Sequence, residues 1–293
     1  MKGGKNRSRK FLESLESRPT HLTDVVQVAN CFPPVSTPVL TSGSFGARLT
    51  RVGWSDDLYV RGALCDGPAI AIVGARAATT VAMNRAHAIG RHLASCGVHV
   101  VSGGALGIDG AAHRGALAGG GTTTVVLGSG ADVLYPERHA PLFEEALARG
   151  GAIVSMLPDG TTPRRHTFLA RNPLIAALAD AVIVVEADLR SGSLATARAA
   201  RKLQRIVAAW PGSKGCDHLL GQGAAIVESV QDAELVALGA PRMPTPIIDT
   251  DPDAARVREA IANGARNVDA IVRHTGLSLR AVLRVLPTLE RCS

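Results

Sequence analysis

Three glycine-bearing turns in this sequence have the makings of an anion site. Gly74-Ala75-Arg76 follows the apolar run AIAIV (69–73), Ser102-Gly103-Gly104-Ala105-Leu106-Gly107-Ile108-Asp109 follows VHVVS (98–102), and Ser191-Gly192-Ser193 lies beyond AVIVVE (181–186). A glycine turn between the carboxyl end of a strand and a helix exposes unpaired backbone N–H groups and the positive end of the helix dipole, where a phosphate settles. Arg76 adds a full charge, and turns converging from several strands make one pocket. The plainer alternative is that the glycines only permit tight strand-to-helix turns.

A fourth segment, Pro163-Arg164-Arg165-His166-Thr167-Phe168-Leu169-Ala170-Arg171-Asn172, sets three arginines around an aromatic in what reads as a loop entering a helix from Asn172. Cations that track phosphates, interleaved with a ring on which a base stacks for about 1–3 kcal/mol, are what a single-stranded nucleic-acid groove requires. A solvated basic loop whose Phe168 plugs the core is the alternative. Asp109 and His113 lie one helical turn apart, within reach of Ser102, and suggest an acid/base pair. An aspartate capping its own helix, with His113 satisfying a buried polar neighbour, is the commoner arrangement, and no catalytic residue is assigned.

Other chemistries lack their signatures. The first turn is not G-x-G-x-x-G, the second strand ends in Ser102 rather than a ribose-binding carboxylate, and no G-x-x-x-x-G-K-[ST] occurs, so neither NAD nor P-loop nucleotide hydrolysis is supported. Cys31, Cys65, Cys96, Cys216 and Cys292 are scattered and never spaced C-x-x-C, which fits reduced thiols, with no metal and no cofactor expected.

The elements that must position these segments alternate. Apolar runs at 69–73, 98–102, 123–127, 152–155, 181–186 and 205–209 are separated by helical stretches at about 80–95, 108–118, 140–149, from Asn172, and 193–203. Such an order gives βαβ units: an α/β, Rossmann-like, mostly parallel sheet flanked by helices, with ligands beyond the strand ends at Val73, Val101, Leu127, Val185 and Ala209. The composition agrees, because 46% hydrophobic residues with only 3% aromatics makes a core of Ala, Val, Leu and Ile. Residues 1–57 form a poorly defined N-terminal segment with at most a short helix at Thr23–Ala29, and the Rossmann-like domain spans 58–238. A linker with four prolines follows at 239–253. Residues 254–293 form a small helical module in which Val268–His274, a turn at Thr275-Gly276-Leu277 and a helix capped by Ser278 resemble a helix-turn-helix, with Arg273, Arg280 and Arg284 nearby. A plain three-helix packing module is the alternative there.

The formal net charge is +7, the pI about 9.6, and 27 of the 32 basic residues are arginine. That balance suits an acidic partner such as nucleic acid, or reflects only an arginine-rich genome. No apolar run approaches the roughly 18 residues of a membrane span and no secretory signal is visible, so the cytoplasm is the default compartment.

From Leu58 to Leu235 the sequence resembles the DNA-processing protein A (DprA/Smf) family. The resemblance is carried by IVGAR (72–76), VSGGALGID (101–109) with AAH (111–113), VLGSGADVLYP (126–136), F-x-x-RN (168–172), VVEADLRSGSLATA (184–197), WPG (210–212) and HLLGQGA (218–224). It implies that Arg76 and Ser102-Gly103-Gly104 form a phosphate pocket, that Arg165 stands where the family has its DNA-binding lysine, and that Phe168 contacts a base. Asn172 and the Ser191-Gly192-Ser193 turn, with Gly74 beside Arg76, would line the same groove. It further implies a homodimer that binds single-stranded DNA and hands it to the recombinase RecA in natural transformation, not an enzyme. The C-terminal helices would match the family's winged-helix module, curtailed because no length is left after them for a β wing. Departures from the family pattern are Ala75 for a serine, Met156 where S-E is common, and Pro173 for the second arginine of R-N-R, which implies weaker DNA binding. Two other readings are a phosphoribohydrolase of the LOG group, whose P-G-G-x-G-T loop is here Ser191-Gly192-Ser193-Leu194-Ala195-Thr196, and a duplex-binding regulator acting through Arg280 and Arg284.

Overall fold

The computed structural model describes residues 36–244 and 252–290. The helix expected at Thr23–Ala29, Cys31, Cys292 and the middle of the linker lie outside the described residues.

Short β-branched runs punctuated by helices build a nine-stranded sheet in the order β1-β2-β6-β5-β4-β3-β7-β8-β9. The six expected strands form as β3 (Ala69–Val73), β4 (His99–Ser102), β5 (Thr123–Val126), β6 (Ala152–Ser155), β7 (Ala181–Val184) and β8 (Ile206–Ala209), all mutually parallel. β1 (Val39–Leu40) and β2 (Leu58–Gly62) add an antiparallel edge on β6, and β9 (Ala225–Ile226) closes the other side.

The helices are α1 (Ala47–Arg51), α2 (Thr80–Ser95), α3 (Ile108–Ala118), α4 (Ala140–Ala148), α5 (Arg165–Ala170), α6 (Asn172–Ala177), α7 (Ser193–Lys202), α8 (Lys214–Gly221) and α9 (Val230–Ala237). Pro173 sits in the first turn of α6, where its missing N–H costs nothing. Because strand side chains alternate between faces, Ala71, Val73, Val182 and Val184 meet α1, α6, α7 and α8, while Ile70, Ile72, Val100 and Ile183 meet α2, α3 and α9. Both faces are covered, as a parallel sheet requires.

At the amino ends of the strands, Arg48 of α1 donates to the carbonyls of Cys65 and Gly67 and to the Asp180 carboxylate, whose Oδ2 also accepts from Ala69 N at 3.0 Å. Burial pushes the Asp180 carboxyl up, but Arg48, the Ala69 amide and Arg205 outweigh it and hold the group below its ordinary value.

Beyond the linker, α10 (Pro252–Ala262), α11 (Val268–Thr275) and α12 (Leu279–Glu290) pack around Ala254, Val257, Ala260, Ile271, Val282 and Val285. Asn267 caps α11 by accepting from Ala270 N at 2.8 Å, Gly276 ends it at φ +70°, and Ser278 caps α12 by accepting from Ala281 N at 3.2 Å. No helix among the described residues is long and apolar enough to cross a membrane.

Two histidines are buried in the sheet region as neutral rings. Thr123 donates its hydroxyl to Val100 O, so it accepts from Nδ1–H of His113 at 2.7 Å. Burial, helped by the fields of His139 and Arg171, pulls His113 down to about 3, and burial with the field of Arg48 pulls His99 down to about 4. The unfolded chain takes up protons below pH 6.5 that the fold refuses, so stability is intact above that pH. It falls on acidification towards pH 4 by about 1.4 kcal/mol per pH unit for each histidine. His113→Gln is therefore expected to lose stability less steeply than the wild type between pH 6 and 4.5 in urea titrations, and equal slopes would contradict the assignment.

Candidate nucleic-acid interface

β3 and β7 are adjacent, yet the chain leaves β3 towards β4 on one side and returns from β6 to β7 on the other. Their carboxyl ends therefore form a topological switch point, where loops diverge and open a crevice. A cleft of about 880 Å³ lies there, between the Gly74–Arg76 turn, the Asp188–Ser193 turn, and α5 with the start of α6.

Arg76 is held by backbone packing. Ala75 N donates to Glu186 O at 2.8 Å and Ala75 O accepts from Ile108 N at 3.2 Å. Gly107 has φ +79°, and a Cβ there would lie 2.3 Å from Ala75 O, so only glycine lets α3 begin against this loop. The Arg76 guanidinium rests over the Phe168 ring, 4.7 Å from its centroid, and Tyr135 flanks the same ring at 5.6 Å. Glu186 turns its carboxylate out of the cleft to the start of α2, accepting from Thr79 Oγ1 at 2.6 Å.

The Pro163–Asn172 segment is not the loop the sequence suggested, since Arg165–Ala170 is helix α5. Thr167 makes the difference: its hydroxyl accepts from Arg164 N at 3.0 Å and donates to Gly128 O at 2.5 Å, closing a cap and fixing the helix on the turn after β5. Phe168 then stands half-buried against Gly128, with one face towards Arg76.

Of the residues singled out in the sequence, Gly74, Arg76, Arg165, Phe168, Asn172, Ser191, Gly192 and Ser193 line the cleft. Asn172 Nδ2 donates to Gly192 O at 3.1 Å, and the Ser191 and Ser193 hydroxyls lie 2.7 Å apart. Ser102, Gly103 and Gly104 do not line it. Ser102 is buried and donates to Ile72 O at 2.6 Å, Gly104 packs on Phe143 and Val125, and Gly103 lies flat under the Arg171 guanidinium. The space a phosphate would need at that turn is filled by the protein's own cation.

Asp109 and His113 do not face one another, because His113 bonds Thr123 and presents its ring to the edge of Phe143. Instead, Asp109 accepts from Ala105 N at 3.3 Å and lies 3.9 Å from Arg171. Burial raises its carboxyl above the ordinary range against the opposing pull of Arg171, and burial lowers Arg171 to about 10.

Arg171 is the residue that sequence reasoning underrated. It is 6% exposed, donates to the carbonyls of Gly103 and Val126, and ties the turns after β4 and β5 to the junction of α5 and α6. Tyr135, Arg164, Arg190 and Arg198 also line the cleft; only its place in the folded chain reveals Arg198, five residues into α7 territory. The wall as a whole carries six arginines against two aspartates.

Residues 53–236 match the family model of DNA recombination-mediator protein A, and residues 241–290 match that of the DprA winged helix domain. This chain belongs to the DNA recombination-mediator protein A family. A curated relative from Mycobacterium tuberculosis, a putative DNA processing protein DprA, is 44% identical over 76% of this chain and 60% of its own length. DprA of Streptococcus pneumoniae is 40% identical over 56% of this chain and 60% of its own length. The chain thus spans about 60% of the length of these curated relatives. Among solved structures, DprA of S. pneumoniae superposes with a TM-score of 0.63 at 31% identity, covering 77% of this chain and 89% of that one. The Helicobacter pylori protein, whose structure is described by its single-stranded DNA binding mode, gives 0.62 at 31% identity over 70% and 98%.

The buried guanidinium predicts a large stability effect in this DNA recombination-mediator protein A family member. Arg171→Leu strips the buried Asp109 of its counter-charge and the Gly103 and Val126 carbonyls of their guanidinium donor, and is expected to cost about 3–5 kcal/mol in urea unfolding. Adding Asp109→Asn should recover part of that loss, while a cost below about 1 kcal/mol would remove Arg171 from this role.

Proposed function

We propose that the cleft binds single-stranded DNA, and that the protein is a non-enzymatic mediator that delivers the strand to the recombinase RecA. In this reading it acts as a homodimer in the cytoplasm, during natural transformation or related recombination. The observation that carries the reading is the charge and ring arrangement at the switch point. Arg171 and Asp109 pair with one another in the floor of the cleft, leaving Arg76, Arg164, Arg165, Arg190 and Arg198 against Asp188 around the Phe168 and Tyr135 rings. Guanidinium groups contact phosphates in pairs of hydrogen bonds, while a ring accepts any base on its face, so the combination favours unpaired strands without reading their sequence. The family assignment and the H. pylori relative's single-stranded DNA binding mode support the same reading.

Fluorescence anisotropy of labelled oligo-dT against rising salt tests it. Wild-type affinity is expected to fall log-linearly with salt, with a slope of about −0.7 per neutralised phosphate, and to exceed that for duplex DNA. Arg76→Ala with Arg165→Ala should weaken binding and flatten the slope; unchanged affinity and slope would overturn the reading. Phe168→Ala removes stacking without charge, so a loss of about tenfold, or 1.4 kcal/mol, is expected with the salt slope kept. Filament assembly by RecA on the bound oligonucleotide then tests delivery.

A further inference from the structure

On the far side of the domain, among the described residues, one cluster has no part in the cleft: His92, Cys96 and Glu234. His92 lies on the last turn of α2 and Cys96 caps its end, where Cys96 N donates to His92 O at 3.1 Å, so an imidazole and a thiol stand on one face, one turn apart. Glu234 comes from α9, whose Ala233 and Val236 share a buried cluster with Ile89 and Leu93 of α2. His92 Nε2 is 2.8 Å from Glu234 Oε2 and 3.8 Å from Cys96 Sγ, and all three ligand atoms lie within 4.8 Å of one another.

We propose that His92, Cys96 and Glu234 form a zinc site that clasps α9 to the end of α2. Metal–ligand lengths of about 2.0–2.3 Å in a tetrahedron put ligand atoms about 3.3–3.7 Å apart, and the three observed atoms bracket that spacing. Imidazole with thiolate selects zinc over calcium or magnesium, which take oxygen donors. Cys96 is exposed and unbridged, so it can give up its proton to solvent as the Zn–S bond forms, and water takes the fourth position. The ordinary role of the trio, a His92–Glu234 contact, needs no thiol at 3.8 Å. A spacing of H-x-x-x-C on a helix is visible in sequence, but Glu234 is supplied by a distant helix, so the set as a whole is not.

The full chain is titrated with cobalt as a spectroscopic stand-in and with zinc against a chromophoric chelator. One equivalent should give a thiolate-to-cobalt charge-transfer band that zinc abolishes. Cys96→Ser should lose the band, although the other cysteines remain, and Glu234→Gln should weaken zinc affinity about 10-fold or more. With zinc at about 100 times Kd, the unfolding temperature of the wild type should rise by about 5–10 °C and that of Cys96→Ser should not. A band that survives Cys96→Ser, or no band in the wild type, overturns the site. The 16 residues of α2 span about 24 Å, so oligo-dT binding is expected to be the same with and without zinc, which separates this test from that of the cleft.

Discussion

A guanidinium that leaves water needs acceptors already fixed in place, and Arg171 finds them in the carbonyls of Gly103 and Val126, with the Asp109 carboxylate beside it. These groups end two neighbouring strands and begin α3, while Arg171 itself ends α5 and precedes α6. One side chain thus fixes three loops relative to each other. The local rules follow from it: Gly103 has no Cβ because the guanidinium lies where one would be, and α5 is close enough to the Gly128 turn for Thr167 to bond it. Removing the cation releases the wall that carries Phe168.

The remaining charges are sorted by where they are satisfied. Glu186, the carboxylate nearest the switch point in sequence, is taken up by Thr79 at the start of α2, where negative charge is favoured. Asp109 is absorbed by Arg171. What faces the cleft is then an excess of arginine, arranged by the backbone rather than by partner carboxylates, with the Phe168 ring holding Arg76 by its face. A site built this way keeps its cations available to a polyanion.

Much of this was legible in the sequence. The six parallel strands β3 to β8 declared themselves, because a strand buried on both faces is built mainly of apolar residues, and Ala69–Val73 and Ala181–Val184 have no other use for such runs, whereas the two-residue parallel strand β9 is too short to show. β2 escaped notice because its apolar pattern is interrupted: Leu58 and Val60 are buried, but the half-buried Tyr59 and Arg61 alternate with them, and the run is short. The glycines after β4 looked like a phosphate turn for sound reasons, and the sequence contained the ion that fills it, 68 residues further on. Local pattern cannot show that a distant arginine returns to occupy a turn. The same limit applies to α5, which depends on a carbonyl at Gly128 that its own residues do not reveal.

The parallel sheet also divides its labour by polarity. Arg48, Asp180, Ala69 N and the carbonyls of Cys65 and Gly67 gather at the amino ends of the strands, while the cleft occupies the carboxyl ends. Helix α1 is therefore moored through Arg48 to the end of the sheet that carries no cleft residues. A loosening of that amino-end network is separated from the cleft by the full length of the strands themselves.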